Sequence, residues 1–194
     1  EIFSDVKTPI EVLRILKNIS RHIYMLESIE DNEKWGRYTF LGYDPKLELA
    51  CVKGKMTIKN GTTIEMDISH PGKMIKKILA DYRSPKLEHL PPFTGGLVGY
   101  FAYDYICYAE PSLKLQAKDE ENFKDVDLML FDKVIAYDHL KQKIVLIVNM
   151  QTDNVLENYG KACASLEAMA ALIGDQTPLP PLRVTAKPQF TCNV

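Results

Sequence analysis

Met56-Thr57-Ile58-Lys59-Asn60-Gly61-Thr62-Thr63-Ile64-Glu65-Met66 decides the fold class. Asn and Gly both tolerate positive φ, and a two-residue Asn-Gly loop matches the twist of paired strands, so this stretch predicts a β-hairpin. Upstream, Leu47 to Val52 alternates apolar and polar residues and stops at the Lys53-Gly54 turn. Before that, Arg37 to Tyr43 reads as a strand that Asp44-Pro45 breaks, and Asp31-Asn32-Glu33-Lys34 is a polar turn. Strands this closely spaced leave no length for crossover helices, which excludes Rossmann and TIM arrangements. The expectation is an α+β fold, with antiparallel β-sheets flanked by helices.

The helices lie outside this meander. Thr8 suits an N-cap, Pro9 the first helical position, and Glu11 completes a T-x-x-E capping box ahead of Val12, Leu13, Leu16 and Ile19. After Arg21 the period shortens to two, with Ile23, Met25, Glu27 and Ile29 on one side of a strand and Tyr24, Leu26 and Ser28 on the other. A second helix is expected over Pro71 to Tyr82, and a last one over Asn154 to Ile173, ending at Gly174 as its C′ residue. Val126 to Asp138 and Lys143 to Asn149 read as two further strands joined near Leu140-Lys141. Ser84 to Thr94 reads as a proline-containing loop, and Ser112 to Lys124 as a charged surface excursion. Pro178, Pro180, Pro181 and Pro188 mark residues 175–194 as an extended connector, and the abrupt end after it reads as the front part of a longer chain.

Composition narrows the function. The chain has 194 residues, 24 Lys and Arg against 26 Asp and Glu, and a net charge of −2, which argues against electrostatic capture of nucleic acid or anionic membrane. No apolar run approaches the roughly 18–20 residues of a membrane helix, and the first residues lack the order of a secretory signal. A cytoplasmic location is expected. The four cysteines and four histidines are dispersed without ligand spacing, so no metal site is expected.

Few motifs carry chemistry on their own. Thr94-Gly95-Gly96-Leu97-Val98-Gly99-Tyr100 lacks the lysine and the following helix of a phosphate loop, so its glycines read as close backbone approach in a crowded strand. Asp119, Glu120 and Glu121 read as a solvated acidic run, and Tyr100, Tyr103, Tyr105 and Tyr108 as core packing. No nucleophile elbow or Ser/His pairing occurs. At the end of an apolar strand, Glu27 could meet an ammonium group and Ser28 a carboxylate or amine. By spacing alone, a strand simply reaching solvent is the favoured reading, since polar residues commonly bound a strand.

Three strings in order add to this reading: Tyr24-Met25-Leu26-Glu27-Ser28, then Trp35-Gly36-Arg37-Tyr38-Thr39-Phe40-Leu41-Gly42-Tyr43-Asp44-Pro45, then Pro92-Phe93-Thr94-Gly95-Gly96-Leu97-Val98-Gly99-Tyr100-Phe101-Ala102-Tyr103-Asp104. Together they resemble the amino-terminal region of anthranilate synthase component I, over almost the whole chain. The resemblance implies a lyase that converts chorismate and ammonia to anthranilate and pyruvate in tryptophan biosynthesis. It also implies Mg2+ as cofactor, a glutamine amidotransferase subunit as partner, and L-tryptophan as feedback inhibitor. Residues 1–174 would be the amino-terminal domain, and 175–194 a linker toward a missing chorismate-binding domain that holds the catalytic and magnesium residues. This part alone would then be inactive. The family's Leu-Leu-Glu-Ser motif maps onto Met25, Leu26, Glu27 and Ser28, so the implied tryptophan-binding residues are Leu26, Glu27 and Ser28. Arg37, rather than Lys34, matches a basic residue of the same pocket. The opposite wall, Asn-Pro-x-Pro-Tyr-Met, does not occur here. The folate-branch relative, component I of aminodeoxychorismate synthase, shares the glycine string and is the alternative, as is a subunit-docking module that binds no inhibitor.

Overall fold

The first helix forms for the local reasons its sequence supplies. Thr8 Oγ1 accepts from the Glu11 N–H at 3.3 Å, Glu11 Oε2 accepts from the Thr8 N–H at 2.8 Å, and Pro9 occupies the first turn. The structure, a computed structural model, describes residues 1–27, 36–113 and 122–176. In chain order its elements are β1 (Ile2–Phe3), α1 (Pro9–Ile19), β2 (Ile23–Glu27), β3 (Tyr38–Tyr43), β4 (Leu47–Val52), β5 (Lys55–Asn60) and β6 (Thr62–Asp67). There follow α2 (Pro71–Ala80), β7 (Gly96–Phe101), α3 (Ile106–Ala109), β8 (Val126–Phe131), β9 (Lys133–Asp138), β10 (Lys143–Val148) and α4 (Val155–Gly174).

The strands form two five-stranded antiparallel sheets, ordered β1-β10-β9-β3-β2 and β6-β5-β4-β8-β7. The α+β expectation holds. The hairpin turns at Asn60-Gly61, with Asn60 opposite Thr62 and Gly61 at φ 69°. One face of the first sheet carries Leu41, Ile135, Tyr137 and Ile144, packed on Val12 and Leu16 of α1 and Met169 and Ile173 of α4. Its other face carries Val134, Ala136, Val145 and Ile147 beneath Leu90 and Phe93. Leu47, Leu49, Cys51, Val126, Leu128 and Leu130 of the second sheet pack on Ile75 of α2, with Tyr105 and Tyr108 at the margin. Each large side chain fully buried in these clusters contributes roughly 1.5–3 kcal/mol.

Val126 to Asp138, expected as one strand, is two strands in different sheets. The chain leaves the second sheet at Phe131, bends at Asp132 and enters the first at Lys133. A neighbouring crossing runs from β3 to β4 through Asp44, at φ 53°. Polar contacts tie the two crossings together: Lys133 Nζ to Asp44 at 2.7 Å, Lys46 Nζ to Asp132 at 3.8 Å, and the Lys46 N–H to Leu130 O at 2.8 Å. The Asn149 N–H donates to Asp132 O at 2.8 Å and its side-chain amide to Thr94 O at 2.7 Å, which fixes the loop before β7 on the same corner.

The glycine string serves that close approach. A Cβ at Gly99, whose φ is 153°, would lie 2.0 Å from Asp127 O, and one at Gly95 would lie 2.9 Å from Phe131 O. The tyrosines depart from the core-packing expectation in part. Tyr105 and Tyr108 pack on the second core, but Tyr100 is 40% and Tyr103 84% exposed, because strand alternation and the 3-10 turn at Tyr103–Tyr105 aim them outward. Gly174 lies within α4 and shows no positive φ, so the helix ends without the expected left-handed cap. The acidic run Asp119, Glu120 and Glu121 lies outside the described residues, as do Ser28, Lys34 and most of the 175–194 connector.

Candidate functional site

The outer edge of the first sheet is β2, which pairs only with β3 among the described residues. Alternation sends Ile23 and Met25 toward the α1 and α4 face, where both pack on the core, and Tyr24 to the opposite face. Tyr24 lies across Gly42, where a Cβ would come within 2.2 Å of its ring, and sits edge-on to Phe131 at 4.7 Å. Its hydroxyl is buried and has no hydrogen-bond partner, and burial pushes the phenol well above its ordinary pKa.

Leu26 and Glu27 follow in this alternation. Leu26 is directly opposite Phe40, which stacks on Tyr38 at 5.6 Å and meets Phe93 at 5.5 Å, so the half-exposed leucine borders an aromatic shelf. Glu27 is opposite Thr39 on the other face, and its Oε1 accepts from Thr39 Oγ1 at 3.3 Å. Thr39 is 0% exposed, and the same hydroxyl lies 2.8 Å from His139 Nε2. The carboxylate of Glu27 is itself exposed.

Arg37 precedes β3 and grips Asp138 at the end of β9 through two parallel bonds, Nε to Oδ1 at 2.9 Å and Nη2 to Oδ2 at 2.5 Å. Asp138 Oδ1 also accepts from the Lys141 N–H at 3.0 Å. The Arg37 hydrogen bonds, with that backbone donor and the arginine's charge, hold the buried Asp138 carboxyl below its ordinary pKa. The guanidinium lies 4.9 Å over the Tyr38 ring. Thus the structure brings Leu26, Glu27 and Arg37 to one end of the first sheet. Leu26 and Glu27 project to opposite faces, and the charge of Arg37 is matched within the chain. Ser28 lies outside the described residues.

Two other polar features were missed from the sequence. At the corner where the strands change sheets, a cleft of about 400 Å³ is lined by Lys46, Arg83, Asp81, Asp132, Phe131 and Asn149, among others. Its charged groups balance, and it contains none of Leu26, Glu27 or Arg37. The signals available for it were the Asp132-Lys133 pair inside an apolar run and the proline-containing loop. On the second sheet, the Tyr108 hydroxyl donates to Asp125 Oδ2 at 2.7 Å and accepts from the Gly54 N–H at 2.7 Å. The Lys53 N–H donates to the same carboxylate oxygen at 2.6 Å, which closes that cluster on itself. Among the described residues no three Asp, Glu, His or Cys side chains converge as metal ligands. They do not fit the magnesium that the resemblance implies. No helix among the described residues is long and apolar enough to cross a membrane.

Two antiparallel sheets exchanging strands at one corner, with a carboxylate and an arginine at the free end of one sheet, define an α+β protein with a polar edge. The chorismate binding enzyme family model matches residues 23–192, and the chain belongs to this family. Several similar curated relatives carry the name anthranilate synthase component 1. The one from Acetivibrio thermocellus is 37% identical over 159 residues, covering 81% of this chain and 32% of that protein. The one from Acinetobacter calcoaceticus is 34% identical over 176 residues, covering 88% of this chain and 35% of that protein. The crystal structure of anthranilate synthase component I from Streptococcus pneumoniae superposes with a TM-score of 0.58 at 25% identity, over 92% of this chain and 37% of that one. The chain therefore spans about a third of the length of the relatives it matches.

Proposed function

We propose that this chain is the amino-terminal, tryptophan-sensing part of an anthranilate synthase component I. The complete polypeptide would act as a lyase in the cytoplasm, taking chorismate and using magnesium, with ammonia supplied by a glutamine amidotransferase subunit. One observation carries the sensing role. The segment Met25-Leu26-Glu27, followed in sequence by Ser28, leads to the end of the outer strand of a sheet, where an exposed carboxylate is held, among the described residues, by a single long hydrogen bond. Such a carboxylate keeps lone pairs to spare, and can accept from the ammonium of a free amino acid in a charge-assisted contact while retaining that bond. Leu26 and the neighbouring aromatic shelf supply apolar surface for the side chain, and Ser28 adds a hydroxyl for the amino-acid end. Arg37 acts here as a brace more than as a free cation, because Asp138 already satisfies it. Inhibition would be a coupling free energy between this edge and the chorismate site, with each ligand weakening the other by the same factor if the effect is on binding.

The test uses the polypeptide extended to the length of its relatives, assayed with chorismate, ammonia and Mg2+ over a range of tryptophan. Anthranilate is the expected product, and the Ser28→Phe variant retains that activity at tryptophan concentrations that silence the parent. Aminodeoxychorismate as product would move the chain to the folate branch. Undiminished inhibition of Ser28→Phe would remove the edge strand from the sensing site. The 194-residue chain alone is expected to give no anthranilate.

A further inference from the structure

Of the two candidate ligand residues on the edge strand, Leu26 and Glu27, the second is held by a group that no sequence signal marked. Thr39 Oγ1 lies between Glu27 Oε1, at 3.3 Å, and His139 Nε2, at 2.8 Å. A hydroxyl has one proton to give, and a carboxylate can only accept. For the Thr39 proton to point at Glu27, His139 must donate from Nε2 to the Thr39 oxygen. The three groups then form one directed chain, from the imidazole through the buried hydroxyl to the exposed carboxylate.

His139 is itself fixed. Its backbone N–H donates to Arg37 O at 2.9 Å, its ring stacks on Tyr137 at 6.3 Å, and the preceding residue, Asp138, is clamped by Arg37. Thr39 is completely buried and its backbone lies in register between Glu27 on one side and Tyr137 on the other. Thr39 is not free to wander, so the sheet fixes where the donor to Glu27 stands.

We infer that Thr39 and His139 are positioning residues for Glu27, orienting its carboxylate toward the ammonium of the bound amino acid. This rests on the sensing site proposed above. The consequence is specific: loss of the Thr39 hydroxyl loosens the inhibitor's grip without touching the inhibitor.

The experiment compares Thr39→Val, Thr39→Ser, His139→Phe and His139→Gln in the full-length polypeptide. For each variant the tryptophan concentration giving half inhibition is read beside the KM for chorismate. Thr39→Val is expected to raise the half-inhibitory concentration about tenfold, the scale of one hydrogen bond to a charged group, while KM does not follow. Thr39→Ser restores the parent value because the hydroxyl returns. If the buried valine prevents folding, the exposed His139 decides: Phe leaves the Thr39 hydroxyl free to turn and weakens inhibition by less than valine would, and Gln, with an amide donor, preserves it. Parent-like inhibition in Thr39→Val or His139→Phe, with Ser28→Phe resistant, overturns the positioning role and leaves the sensing site standing. Parent-like inhibition in Ser28→Phe as well overturns both.

Discussion

The two polar clusters of this protein sit on different sheets and end differently. On the second sheet, Tyr108, Asp125 and the backbone N–H groups of Lys53 and Gly54 satisfy one another and hold the segment after β7 to the β4–β5 turn. On the first sheet, Arg37 and Asp138 close in the same way, but the adjoining chain from His139 through Thr39 runs outward and stops at an exposed carboxylate. A closed polar cluster stabilises a fold. An open one leaves an acceptor for something else, and that difference separates brace from candidate site within one molecule.

The first way to challenge this contrast is through the scaffold that both clusters share. Ile135 is fully buried in the middle of the first sheet, between Leu41 and Leu146 in register. Ile135→Ala should cost about 4 kcal/mol, the range of large-to-small core changes, read as a lower denaturation midpoint with an unchanged slope. Gly99→Ala should rank close behind at about 3 kcal/mol, because its Cβ would meet the Asp127 carbonyl and cannot relax away from backbone.

Asp138→Asn probes the closed part of the first cluster. Breaking a largely buried, doubly hydrogen-bonded pair should cost about 3 kcal/mol near neutral pH. The folded-state pKa of Asp138 lies below its ordinary value of 3.8, so its contribution is complete above that value and is lost as pH falls through the lower, folded one. The gap between parent and Asp138→Asn should therefore be constant from neutral pH down to about 5 and shrink below about 4. A gap that instead widened in acid would contradict the pairing. On the second sheet, Tyr108→Phe should cost about 1–2 kcal/mol, through the lost bond to a carboxylate and the unpaired Gly54 N–H. Glu27→Gln, at the open end, should change thermal stability by less than about 0.5 kcal/mol, because an exposed group with, among the described residues, one long bond contributes little to folding. A large loss there would make Glu27 a brace like Asp138.

The same contrast explains what could be read from the residues alone. Strands covered on one face alternate, so Leu47 to Val52 and the Asn60-Gly61 hairpin were legible residue by residue. Val134, Ile135, Ala136 and Tyr137 are buried on both faces of the first sheet, and such a run has no period to betray where a strand begins. That is why the passage through Asp132 from one sheet to the other was hidden, and with it the corner cleft. Glu27 was legible as a carboxylate at a strand end. Its link to His139 was not, because the two are brought together only by the order β9-β3-β2, across more than half the chain.

The most direct measurement is a crystal structure of the full-length polypeptide grown with tryptophan. The ammonium group should lie within hydrogen-bond distance of the Glu27 carboxylate, beside Ser28, with Thr39 still bridging Glu27 and His139. Tryptophan bound elsewhere, with the β2 edge untouched or covered by protein, would contradict the sensing role of this edge.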